Sequence, residues 1–185
     1  MEILTSIVAS IIKKRRIFGG TRTRETNIEA LDKGLLRRYE VFLSFRGEDT
    51  RASFTSHLYA SLQNTGIDVF RDDDSIQRGD HISTSLLRAI EQTQISVIIL
   101  SKNYADSGWC LDELVKIMEC HRTLRQIVLP VFYDVDPSDV RHQTGEFGKA
   151  FQNLSNTTSE DKLLKWRDVL RQVAGLAGFV VLNTR

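Results

Sequence analysis

The chain has 185 residues, of which 41% are hydrophobic and 26% charged, and its net charge is +1. This is the composition of a soluble domain long enough to bury a core, and it supplies no global attraction to nucleic acid or to an anionic membrane. The charge is uneven: residues 1–38 hold nine Lys/Arg against four Asp/Glu, a basic leader of +5, which leaves −4 for the remainder.

The leader opens with "MEILTSIVASII" and then "KKRR". Its apolar stretch is about ten residues, half of the roughly twenty that span a bilayer. The basic run follows the apolar part, the reverse of a cleaved secretory signal. Residues 1–38 are expected to be a flexible tail, with a peripheral membrane anchor or a nuclear import signal as alternatives.

A regular pattern begins at Tyr39. "YEVFLSF" reads as a strand, rich in aromatic and β-branched residues. "RASFTSHLYASLQNTG" reads as a helix with Phe54, Leu58 and Leu62 on one face and Gly66 as its stop. "IDVF" is a short strand, and the polar "RDDDSIQRGDH" is a loop. "ISTSLLRAIEQT" is a helix with Ile82, Leu86 and Ile90 four apart. "ISVIIL" is the continuous apolar run of a strand buried on both faces.

A helix from about Trp109 to His121 follows. "QIVLPVFYDV" is the next strand, whose Pro130 suggests a bulge or a position near an edge. "DPSDVRHQTGEFGKAF" reads as a turn and short helical pieces, "DKLLKWRDVLRQVAGLAG" as a helix and "FVVL" as a fifth strand. Strands alternating with helices imply an α/β fold, a five-stranded, mostly parallel, doubly wound sheet of the flavodoxin-like kind. Ligands on such sheets bind beyond the carboxyl ends of the strands, where strand order reverses. "RGEDT", "RDDDSIQRGDHI" and "SKNYADSGW" are therefore the candidate site loops.

The two cysteines, Cys110 and Cys120, sit about 15 Å apart if one helix carries both, too far for a disulfide. A reduced, intracellular setting fits them. The four histidines are scattered and no zinc spacing occurs, so no metal is expected. The acidic run Asp72-Asp73-Asp74 reads as a solvated loop in preference to a Mg²⁺ site. Both the G-x-G-x-x-G and the Walker A fingerprints are absent.

On the helix after "SGW", Leu111, Leu114, Val115 and Met118 form the buried stripe. Trp109 and Glu113 fall together on the opposite, exposed face. Periodicity alone leaves two readings: a dipole-favoured carboxylate beside a packing tryptophan, or a functional pair.

"YEVFLSFRGEDTRASFTSHLY", "FRDDDSIQRGDHI", "SKNYADSGWCLDELVKI" and "IVLPVFYDVDPSDVRHQTG" closely resemble the successive motifs of plant Toll/interleukin-1 receptor (TIR) domains, over about residues 39–182. Residues 39–185 would be that domain. The resemblance implies a signalling domain of an intracellular plant immune receptor. It implies cleavage of NAD⁺ between nicotinamide and ribose on self-association, as an ADP-ribose-forming or cyclic ADP-ribose-forming hydrolase. The nucleotide products would trigger defence and cell death. NAD⁺ or NADP⁺ would be substrate, with no cofactor.

The same resemblance makes Glu113 of "CLDEL" the catalytic residue. Phe45, Arg46, Gly47, Ile82, Ser107 and Trp109 would contact the substrate. Arg46 would meet a phosphate, against the plainer reading of a surface ion pair with Glu48 or Asp49. Ser56 and His57 would pack against another TIR domain, like or unlike, against the plainer reading of an exposed helix face. The location implied is cytoplasmic, with nuclear or peripheral membrane attachment through the leader as alternatives.

The family continues into a further helix after the fifth strand, and with the sequence read to Arg185 that final helix is expected to be missing, in a fragment or a naturally short form. Self-association and stability in isolation are thereby put in question, and an exposed apolar patch over "AGFVVL" would be a liability. A non-enzymatic adaptor, or a decoy partner of full-length receptors, is the competing function; the presence of Glu113 favours the enzyme.

Overall fold

The computed structural model describes residues 2–19, 39–71 and 84–182. Five parallel strands lie in the order β2-β1-β3-β4-β5: β1 Val41–Phe45, β2 Val69–Arg71, β3 Ile95–Leu100, β4 Ile127–Tyr133 and β5 Phe179–Val181. The order reverses between β1 and β3, so the two loops leaving those strands part around one crevice. Every residue of β1 and of β3 is buried, as an apolar run covered on both faces requires.

Alternation along the strands sorts the core into two layers. Val41, Leu43, Phe45, Val97, Ile99, Leu129 and Val131 face helix α1 (Glu2–Gly19) and helix α3 (Ser56–Asn64). Phe42, Ile98, Leu100, Val128 and Phe132 face the other layer. Its helices are α4 (Thr84–Glu91), α5 (Gly108–Leu124), α6 (Pro137–His142), α7 (Gly145–Ser155) and α8 (Glu160–Val173). α5 lies against β1, β4, α4 and α8.

Three expectations change. The first 19 residues were expected as part of a flexible tail, yet residues 2–19 are helical, and Ile7 and Ile11 are fully buried with Val8 nearly so. The spacing of these residues puts them on one face, which packs beside α3 and β5. The helix expected from Arg51 is broken in two. A short helix α2 (Gly47–Thr50) leads into a wide turn over Arg51–Thr55, and Ser53 leaves helical geometry (φ −130°, ψ −106°) before α3 begins. The patch expected over "AGFVVL" is divided: Val180 and Leu182 are exposed, while Val181 is buried in the α1 layer.

Other local signals behave as read. Gly66 ends α3 with φ +73°, a conformation that glycine adopts without a Cβ penalty. Pro130 makes no bulge: β4 pairs continuously with β3 from Ile127 to Phe132. β5 pairs only from Val131 onward, so Pro130 stands before that ladder begins and no ladder bond to β5 is lost there. A Cβ at Gly178 would come within 2.3 Å of the Pro130 carbonyl oxygen, and only glycine lets the chain enter β5 at that point.

Candidate active site

Four side chains from three elements converge beside the β1/β3 crevice. Ser44, the fourth residue of β1, points to the same side of the sheet as Phe42. Tyr104 belongs to a 3₁₀ turn, Tyr104–Asp106, and is fully buried. Trp109 and Glu113 stand one turn apart in the first half of α5, a spacing at which helix side chains meet.

Glu113 is 3% exposed. Its Oε2 accepts from Ser44 Oγ at 2.8 Å and its Oε1 accepts from Trp109 Nε1 at 2.8 Å. Tyr104 Oη lies 2.9 Å from Ser44 Oγ and donates to the Cys110 carbonyl at 3.0 Å. A carboxylate removed from water needs such donors. Burial, and after it the charges of Cys110 and Glu113, hold the Tyr104 phenol well above its ordinary pKa, against the hydrogen bond with Ser44.

Periodicity pairs Trp109 with Glu113 correctly but puts them on a solvent face, and that part is corrected: Glu113 is buried and Trp109 half-buried. A helical wheel contains only the helix. It leaves out the hydroxyl of a neighbouring strand that makes a polar, buried face possible.

The remaining candidates lie at several places. Ser107 caps α5, its Oγ accepting from the Cys110 amide at 3.3 Å. Phe45 turns its ring to the opposite layer, where the Arg51 guanidinium sits 5.5 Å from the ring centroid. Only its carbonyl reaches back, accepting from Cys110 Sγ at 3.6 Å. Arg46 pairs with Glu48 at 3.0 Å, the plainer of its two readings. Gly47 opens α2. Ile82 lies outside the described residues, as does the Asp72-Asp73-Asp74 run. On α3, His57 is exposed, and Ser56 is half-buried with its hydroxyl donating to the Arg51 carbonyl.

Sequence reading missed Ser44, Tyr104 and Asp49. Asp49 joins the two loops of the crevice: it accepts from Ser101 Oγ at 2.5 Å, from the Asn103 amide at 3.0 Å and from Asn103 Nδ2 at 2.8 Å. A usable signal existed for Ser44, since a hydroxyl inside an otherwise apolar strand is the informative exception in a core. Among the described residues, no group of three or more His, Cys, Asp or Glu is placed to hold a metal ion. Cys110 and Cys120 are buried free thiols on α5. No helix among the described residues is long and apolar enough to cross a membrane.

A doubly wound parallel sheet with a buried carboxylate beside its switch point defines a flavodoxin-like domain with a candidate ligand or catalytic site. The TIR domain family model matches residues 38–185. Disease resistance protein RPV1 of Vitis rotundifolia is 54% identical over 147 residues, 80% of this chain and 10% of that protein. TMV resistance protein N of Nicotiana glutinosa is 50% identical over 142 residues, 76% of this chain and 12% of that protein. The TIR domains in the activated Roq1 resistosome, which directly recognises the pathogen effector XopQ, superpose with a TM-score of 0.69 at 49% identity. That match covers 77% of this chain and 87% of the other. The chain belongs to the TIR domain family. It spans about a tenth of the length of these plant resistance relatives.

Proposed function

We propose that this chain is an NAD⁺-cleaving domain of plant immune signalling, active when copies associate, with Glu113 as its catalytic carboxylate. The observation that carries the reading is the placement of Glu113: a buried carboxylate, held on both oxygens, beside the β1/β3 crevice. Family membership and the likeness to the Roq1 resistosome TIR domains support it.

In NAD⁺ the nicotinamide is a pyridinium. When the bond from its ring nitrogen to ribose C1′ breaks, the electron pair stays on nitrogen and nicotinamide departs neutral, so no acid is needed. The positive charge passes to an oxocarbenium-like ribose. Water then bonds to C1′ and releases a proton, giving ADP-ribose. One carboxylate in a water-poor pocket can stabilise the developing cation or orient the ribose hydroxyls, where most glycosidases need two. Trp109 supplies an aromatic wall, and Arg46 would exchange Glu48 for a phosphate. Phe45, through its main chain only, with Gly47, Ser107 and Ile82 would complete the expected contacts, and Ser56 and His57 the association surface. NADP⁺ would serve equally, and the products would act as defence signals.

The test is concentrated protein with NAD⁺, nicotinamide release being followed by chromatography beside Glu113→Ala. Release by the parent chain and none by Glu113→Ala is expected. No release under crowding conditions that drive association would overturn the enzyme reading in favour of an adaptor or decoy. Equal release from both would overturn the role of Glu113. A bulky residue in place of His57 should lower the rate through assembly.

A further inference from the structure

Three oxygen–oxygen contacts run in a line from the carboxylate. Glu113 Oε2 to Ser44 Oγ is 2.8 Å, Ser44 Oγ to Tyr104 Oη is 2.9 Å, and Tyr104 Oη to the Cys110 carbonyl is 3.0 Å. Ser44 and Tyr104 bring one hydroxyl proton each. When Glu113 is ionised, the Ser44 proton points at Oε2, and the Tyr104 proton is shared between Ser44 Oγ and the Cys110 carbonyl. When Glu113 is protonated, three protons fill three contacts, all directed from the carboxyl toward the Cys110 carbonyl. The same four groups are thus satisfied in either charge state, without moving a heavy atom.

We propose that Ser44 is the positioning residue for Glu113, and that with Tyr104 it forms a hydroxyl chain whose direction reverses as Glu113 gains or loses a proton. The catalytic consequence rests on the reading of Glu113 given above; the hydrogen-bonding consequence does not. Ser44 suits the role because it is 1% exposed and fixed in a paired strand, so its hydroxyl has little freedom to point elsewhere. It also holds the carboxylate from β1, on the far side of the switch point from the strand that feeds α5.

Other charged groups nearby have separate partners. Asp112 accepts from Trp166 Nε1 at 2.8 Å and pairs with Lys162 at 2.8 Å, toward α8. Arg46 pairs with Glu48. The Cys110 thiol donates to the Phe45 carbonyl. The raised phenol pKa keeps Tyr104 a donor across the range in which a carboxyl titrates.

The direct measurement is the pH titration of the Glu113 carboxyl carbon in protein labelled with ¹³C-glutamate, assigned with Glu113→Gln. Ser44→Ala removes a bond from both forms, but the one to the charged carboxylate is the stronger, so the midpoint should rise by about one pH unit. Tyr104→Phe removes only Oη and should raise it by less. In the nicotinamide assay, Ser44→Ala should lower kcat about 10- to 100-fold with little change in KM, and Ser44→Thr should restore most of it. An unmoved midpoint in both Ser44→Ala and Tyr104→Phe overturns the proposal. So does equal loss of activity in Ser44→Ala and Ser44→Thr with no change of midpoint, which would mark a packing role. If Glu113→Ala still releases nicotinamide, the enzyme assignment of Glu113 fails, and the titration still reports on Ser44.

Discussion

The indole of Trp109 donates to Glu113 Oε1 at 2.8 Å, one helical turn away on α5. The tryptophan is therefore a second fixed donor to the carboxylate as well as an aromatic surface. Trp109→Phe keeps the ring and deletes the donor. A hydrogen bond to a charged group contributes about 1.5–3 kcal/mol. If that carboxylate acts in the transition state, kcat for nicotinamide release should fall about 10- to 100-fold. Steady-state kinetics on the variant checks it, and an unchanged kcat would leave Trp109 with a packing role alone.

Asp49 joins the loop after β1 to the loop after β3 through three hydrogen bonds. Asp49→Ala leaves partly buried donors on Ser101 and Asn103 without their acceptor. The expected loss is about 1–3 kcal/mol of stability, read from urea unfolding. Asp49→Asn, which keeps an acceptor oxygen, should cost less.

Tyr104 gives a pH dependence of known sign. Its folded-state pKa is raised, chiefly by burial, so above about pH 10 the unfolded phenol loses its proton while the folded one keeps it. The folded state then binds more protons, and stability declines as pH rises through that range. Below about pH 10 the contribution is fully present. Melting temperatures between pH 8 and 11 should show this decline, and Tyr104→Phe should be flatter over the same window, whatever its stability at neutral pH.

Helix α1 makes a testable contribution to the core. Ile11 is fully buried in the layer that also holds Leu58, Leu62 and Val181. Ile11→Ala should cost about 2–4 kcal/mol, lowering the melting temperature by roughly 4–16 °C for a domain of this size. Lys13→Ala, at an exposed position, serves as the control and should change stability by less than about 0.5 kcal/mol.

The parallel sheet was legible because its signals are local and repeated. The unbroken apolar run of β3, the glycine after α3 and the four-residue spacing of Leu86 and Ile90 each specify one element. Their alternation along the chain specifies the fold. The pairing of Trp109 with Glu113 was legible for the same reason. The burial of Glu113 was not, because its hydroxyl partner Ser44 is 69 residues away in sequence. The Asp49 clamp reaches across more than fifty.

The leader hides its partner in another way. Its apolar stretch of about ten residues is too short for a bilayer, but its apolar face packs on the sheet layer of its own domain, a surface that no local pattern displays. The break at Ser53 has no signal in "RASFT" that periodicity could detect.

The packing of α1 sets up a competition. Ile7, Val8 and Ile11 form the stripe that would enter a lipid interface, and the same stripe closes one layer of the core. The basic residues beside it are placed differently: Lys13 and Arg16 are exposed, and Arg15 is tied to Glu40 at 2.5 Å. While α1 is docked, its apolar stripe is held in the core and is not available to a lipid surface. Insertion would require the helix to leave the domain and uncover Leu58, Leu62 and Val181. Attachment through this helix and stability of the domain would then vary in opposite directions.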